Sequence, residues 1–136
     1  MTDGRKGLGR LGEDIAAAQL EREGWQIIAR NWQARAAGRR GEIDIISRDG
    51  EWLVFVEVRT RRAGRKGGDP YLGRPEESVT PRKQLQLAQM AETYLFDVAR
   101  CGAAWRGPWR IDVIALELGA DGSVSRMAHY RDAVGL

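Results

Sequence analysis

Two strongly apolar runs separated by a turn dominate this chain, and acidic residues interrupt each of them. The first is Gly41-Glu42-Ile43-Asp44-Ile45-Ile46, the second Trp52-Leu53-Val54-Phe55-Val56-Glu57-Val58-Arg59. Their β-branched and aromatic content reads as buried strand. A carboxylate inside such a strand is costly unless a partner pairs with it or a cation binds it. Asp49-Gly50 between the runs is a two-residue turn signal. With that pair as the loop, Arg48 faces Glu51, and the pairing continues outward to Asp44 against Phe55, Glu42 against Glu57 and Arg40 against Arg59. Side chains alternate along a strand and opposed residues share a face. The expectation is therefore Glu42, Asp44, Glu57 and Arg59 on one side, with Ile43, Ile45, Val54, Val56 and Val58 on the other. Glu57 then stands across from Glu42 and diagonal to Asp44, at about 7–8 Å. Two like charges face to face destabilise a sheet, so the arrangement asks for a counter-ion. A slip of one residue would scatter the set.

At 136 residues and 43% hydrophobic, the chain suits one compact domain with a true core. Lys plus Arg is 22 against 19 Asp plus Glu, a net charge of +3, so placement of charge matters more than its sum. A single Cys, Cys101, excludes an internal disulfide framework and any multi-cysteine zinc site. No apolar run approaches the roughly 18 residues of a membrane span, and the N-terminus carries no signal-peptide core. No membrane association and a cytoplasmic location are the expectation.

Leu8, Leu11, Ile15 and Ala18 recur at helical spacing, which predicts a first helix from about Gly7 to Glu23, stopped by Gly24. Residues 25–32 read as a strand, and 42–48 with 52–60 as the hairpin. Residues 61–76, rich in Gly, Arg and Pro, read as a mobile basic loop. Thr80 offers an N-cap with Pro81 at the first helical position. Leu85, Ala88, Ala91, Leu95 and Val98 mark a second amphipathic helix ending near Cys101-Gly102. Strands at 109–118 and about 123–130 close the chain around an Asp121-Gly122 turn. The order is αβββαββ, and a helical crossover between the third and fourth strands makes the sheet mixed.

Gly7-Leu8-Gly9-Arg10-Leu11-Gly12 matches the dinucleotide-binding pattern G-x-G-x-x-G letter for letter. That pattern functions only between a strand and a helix. The six residues before Gly7 are mostly polar and too few for a buried strand, so the run reads as the glycine-rich start of a helix.

Gly12-Glu13, Arg30-Asn31, the two hairpin runs, Lys83 and Arg110-Ile111-Asp112-Val113 resemble the YraN-like bacterial proteins. That family is similar to the restriction-endonuclease-like, or PD-(D/E)XK, nucleases and to archaeal Holliday-junction resolvases. The resemblance spans about residues 7–134. It implies an α/β core of order αβββαβ, in agreement with the order read from periodicity, and it admits a homodimer. It further implies Asp44 as the first acid of the motif, Glu57 as the second, and Arg59 at the position usually held by Lys. Glu13 matches a helical acid that often completes such a site. A hard divalent cation, Mg²⁺ or Mn²⁺, prefers oxygen ligands. By the resemblance, Asp44, Glu57 and the backbone carbonyl of Val58 would hold it, with Glu13 or Glu42 reaching through water. Guanidinium effectively never loses its proton, so Arg59 can orient phosphate and stabilise charge but cannot serve as a base. Lys83 is the candidate to stand in for the missing lysine.

Nucleic acid, with DNA favoured, is the expected partner. Arg40, Arg61, Arg62, Arg65, Lys66 and Arg74 flank the acidic hairpin, with Arg35 and Arg39 before it, and such a basic surround suits a polyanion. These contacts carry no code for sequence. The leading expectation is a metal-dependent endonuclease acting on structured DNA. The alternative is a catalytically weak or inactive binding module of the same fold, and a third reading leaves Glu42 and Glu57 simply paired with Arg40 and Arg59. Asp112 reads as an internal hydrogen-bond partner, His129 as a packing or bonding residue near the last strand, and the five Trp residues as core and edge packing.

Overall fold

A computed structural model describes residues 4–34, 41–63 and 75–134. The elements are α1 (Gly4–Arg22), β1 (Gln26–Gln33), β2 (Glu42–Asp49), β3 (Trp52–Arg62), a 3₁₀ turn (Pro75–Ser78), α2 (Pro81–Arg100), β4 (Trp109–Leu118) and β5 (Val124–Tyr130). The protein is α/β, with a five-stranded mixed sheet of order β1-β2-β3-β4-β5. Neighbours pair antiparallel except β3 and β4, which run parallel across the α2 crossover. This architecture is compatible with a restriction-endonuclease-like core. No helix among the described residues is long and apolar enough to cross a membrane.

The helices cover opposite faces. On one, Ala16, Ala17 and Leu20 of α1 pack on Ile45, Val54, Val56, Ile114 and Leu116. On the other, Leu87, Ala88, Met90 and Ala91 of α2 pack on Ile43, Ile46, Phe55 and Ile111. The helices occur where periodicity predicts; α2 buries Ala88 and Ala91 as expected, whereas the buried stripe of α1 is rotated from the expected one. Leu11 and Ala18 face solvent on α1, and Leu85 is 61% exposed on α2. Small residues, Ala16, Ala17, Ala88 and Ala91, share the buried faces with Leu20, Leu87 and Met90. Gly12 shows the limit: a Cβ on it would lie 1.9 Å from Thr60 Oγ1 on β3. At the start of α2, Thr80 accepts a hydrogen bond from the Lys83 N–H and Pro81 follows, as the sequence predicts.

The hairpin register differs from the expectation. Asp49 pairs with Trp52 and Ile45 with Val56, so the loop is Gly50-Glu51. Gly50 takes the left-handed conformation, with φ 59, at the first central position, where a turn of the Gly-X kind needs it. An Asp-Gly loop of the other kind would require φ > 0 at Asp49 as well. The slip is two residues, so it changes partners without changing faces. It moves Glu57 from opposite Glu42 to the position facing Asp44. The pairing expected between Arg40 and Arg59 lies outside the described residues, as do most of the 61–76 segment and the basic residues Arg65, Lys66 and Arg74 within it. Arg61 and Arg62 belong to the end of β3 instead of a loop.

Candidate metal centre

The acids meet where β2 and β3 part. The ladder between them is regular from Asp49–Trp52 to Ile45–Val56 and then stops, while β3 continues beside β4 as far as Arg62. In the gap, Asp44 Oδ2 accepts a hydrogen bond of 2.8 Å from the Val58 N–H. A side-chain carboxylate thus replaces the strand carbonyl that would otherwise satisfy this donor. An extended residue directs its N–H and C=O to the same edge, so the Val58 carbonyl points toward the side occupied by Asp44.

The expectation that all the acids share one face needs correcting. Ile45 packs under α1 but Ile43 packs under α2, so β2 changes the side it presents across Asp44. On the neighbouring strand, Asn31 is left-handed, with φ 52, a conformation Asn tolerates better than most residues. Its side-chain amide donates to Glu13 Oε2 at 2.9 Å and to Glu42 Oε1 at 2.8 Å. Gln33 Nε2 donates to the other Glu42 oxygen at 3.2 Å, and Arg30 lies 3.9 Å from Glu13 while bonding Asp14 at 2.7 Å. Glu13 and Glu42 therefore reach Asp44 from the α1 side. Glu57 alternates with Val56 and Val58, which pack under α1, so it approaches from the α2 side. Lys83 and Arg59 accompany it there.

One carboxylate oxygen from each of Glu13, Glu42 and Asp44 lies within 4.8 Å of the others. Burial pushes the Asp44 carboxyl up to about 8, and repulsion by Glu57 adds to the shift against the opposing Val58 hydrogen bond. Burial also raises Glu13, partly offset by its bond from Asn31 and reinforced by Asp44 and Glu42. Glu57 is 5% exposed, and its Oε2 is buried without a hydrogen bond. Lys83 Nζ stands 3.6 Å from that oxygen and Arg59 Nη1 3.8 Å from the other. Arg59 is fixed from behind, its Nε donating to Ser78 Oγ at 2.7 Å.

Asp44, Glu57, Arg59, Lys83, Glu13, Glu42 and Val58 thus converge on one end of the sheet. Arg61 lies two residues along β3, and Arg62 is exposed beyond it. Arg40, Arg65, Lys66 and Arg74 fall outside the described residues. Sequence reasoning gave Asn31 no role, although a residue tolerant of positive φ next to Arg30 inside a strand was the available signal. Asp112 is a hydrogen-bond partner as expected. It bonds Arg110 Nε at 3.0 Å, His129 Nε2 at 2.8 Å and the Asp132 N–H at 2.9 Å, partners that none of the clustered acids shares, although its backbone pairs with Val56 beside Glu57. Four of the Trp residues pack: Trp25 is buried against His129, Trp32 edges Tyr94, Trp109 edges Phe55 and Trp105 is half-buried on the core, whereas Trp52 is exposed.

Similar proteins match along most of the chain. A UPF0102 protein of Pelotomaculum thermopropionicum is 41% identical over 133 residues, covering 98% of this chain and 99% of its own. One from Herpetosiphon aurantiacus is 42% identical over 118 residues, 87% of each chain. A third, from Symbiobacterium thermophilum, is 46% identical over 115 residues, 85% of this chain and 86% of its own. The family pattern described as Uncharacterised protein family UPF0102 matches residues 12–116, from the glycine beside Glu13 into β4. The chain belongs to this family, the YraN family.

Proposed function

We propose that this protein is a metal-dependent endonuclease that hydrolyses phosphodiester bonds in structured nucleic acid, DNA in the first instance. The observation that carries the reading is the buried pair Asp44 and Glu57. Two carboxyls placed side by side away from water, one raised to about 8 and the other with an oxygen lacking any hydrogen bond, are unfavourable in the protein alone. A bound divalent cation removes both penalties. The donors are all hard oxygens, Asp44, Glu57, the Val58 carbonyl, and Glu13 and Glu42 nearby, and this set fits Mg²⁺ or Mn²⁺. Bound there, the ion would polarise the phosphodiester and lower the pKa of an attacking water.

The chain's own residues divide the remaining work. Asn31 holds Glu13 and Glu42 together from the α1 side. The Val58 N–H fixes the orientation of Asp44. Lys83 and Arg59 put two cationic groups beside Glu57, where they can meet the negative charge that grows on a phosphate in the transition state. Lys83 comes from α2 to the place where the hairpin lacks a lysine.

Calorimetric titration with Mg²⁺, together with cleavage of branched, single-stranded and duplex DNA, tests the reading. Binding heat and product should both vanish in Asp44→Ala and Glu57→Ala. Salt-sensitive DNA binding without product would instead favour the binding-module reading. Arg59 supports that alternative, because Ser78 and Glu57 already engage it.

A further inference from the structure

The glycine run of α1, removed by the fold from any nucleotide-binding role, is only partly accounted for by packing. Gly12 is needed because Thr60 leaves no room for a Cβ. Gly9 has no such reason. It sits inside α1 without a left-handed φ, and a Cβ on it would meet no heavy atom of the described residues within 4 Å. Glycine in a helix interior lowers stability relative to alanine, so a bare flank here weakens the helix with no gain in packing.

Gly9 lines a cavity of about 560 Å³, together with Val58, Arg59 and Arg61 of β3 and Ser78 of the 3₁₀ turn. Two of these residues also belong to the acid cluster. The Val58 N–H holds Asp44, and the Arg59 guanidinium lies beside Glu57. The cavity therefore adjoins the acids directly.

We infer that this groove receives a single nucleic-acid strand, its sugar–phosphate backbone lying against α1 at Gly9 and its phosphates meeting Arg59 and Arg61. Bare helix backbone allows the close approach that any side chain would block. Two guanidiniums suit consecutive phosphates. The volume is that of a small-molecule pocket, sufficient for a short stretch of one strand, and a paired second strand would have to remain outside it. The substrate class is accordingly a single strand, or a single-stranded arm leaving a duplex. This deepens the endonuclease reading and rests on it for what happens at the acids, whereas strand binding needs no metal.

The test is fluorescence anisotropy of the full chain in EDTA, with a labelled single-stranded DNA and a blunt duplex of equal length. Gly9→Leu introduces a good helix former and fills the groove. It should melt no lower than the parent, yet weaken single-strand binding by at least roughly tenfold while leaving duplex binding within about twofold. Arg61→Ala should reduce the salt slope of single-strand binding by about 0.7. Parental single-strand affinity in Gly9→Leu, an equal loss for both DNAs, or no single-strand binding by the parent at low salt would each overturn the inference. Strand binding that depends on Gly9 without any Mg²⁺ heat would sink the endonuclease reading and leave the groove standing. Cleavage that ignores Gly9 would do the reverse.

Discussion

At the scale of single residues, Asp44 is the point of greatest tension. Its folded carboxyl titrates at about 8 because of burial and the nearby Glu57, against an ordinary value of about 3.9 in the unfolded chain. Below the lower value both states hold the proton and the stabilisation is complete. Between the two values only the folded state holds it, so stability falls as pH rises, by up to ~1.4 kcal/mol per pH unit. Above about 8 the slope disappears. Urea unfolding in EDTA at several pH values should show this decline, and Asp44→Asn should flatten it. Added Mg²⁺ should restore stability most at the alkaline end, where its ligand is already ionised. A flat profile in the parent would remove the basis for a buried, protonated Asp44. Lys83 and Arg59 make a second contrast beside it. Lys83→Ala should lower Mg²⁺-dependent cleavage by about 10²–10³-fold, while Arg59→Lys should preserve or raise it. Single-turnover rates decide this, and a parental rate in Lys83→Ala would strip that lysine of a catalytic role.

At the scale of elements, α1 reaches the site only because one position lacks a side chain. Gly12 lets the helix settle on Thr60 of β3 and thereby carries Glu13 to Asn31 and Asp44. Gly12→Ala should destabilise the protein by ~1–3 kcal/mol through overpacking, despite alanine's better helix propensity. Its added Cβ would lie 2.9 Å from Thr60 Cβ as well as 1.9 Å from Oγ1, so Thr60→Gly in the same chain should recover most of the loss. Chemical denaturation of the two single variants and the double variant measures that coupling. Additive losses would show that the contact does not set the position of α1. The element ends were largely legible: Thr80-Pro81 opens α2, and β4 covers the ten residues expected. The buried face of α2 was legible at Ala88 and Ala91, whereas that of α1 was not, because Ala16, Ala17 and Leu20 are buried there while Leu11 and Ala18 of the expected stripe face solvent.

For the whole molecule, Asp112 ties together segments the acid cluster does not touch. It is fully buried and links Arg110, His129 of β5 and the backbone at Asp132. Burial alone would raise its pKa, but the bonds from His129, the Asp132 N–H and Arg110 together hold it below the usual carboxylate range. Arg110 in turn lies over the rings of Trp25 and Trp52, at 5.5 and 5.2 Å, and reaches Asp49 at 3.4 Å. Removing the central carboxylate would leave a cation buried without its main partner. Asp112→Ala should therefore cost ~3–5 kcal/mol, with Mg²⁺ binding retained in the folded fraction. Thermal melting and metal titration of the same sample check both halves. A loss of metal binding at unchanged stability would reassign Asp112 to the acid site.

The order of elements, the mixed sheet and the identity of the acids were present in the sequence, since apolar periodicity, Pro and Gly punctuation and misplaced carboxylates are local signals. The turn at Gly50 escaped such reading because two kinds of tight turn suit the same residues, and only the paired strands select between them. The grouping of Glu13 and Glu42 on one side of Asp44, with Glu57 and Lys83 on the other, was decided by the tertiary structure. It depends on how closely α1 and α2 approach the sheet and on where β2 and β3 separate, distances set by packing between segments remote in the chain.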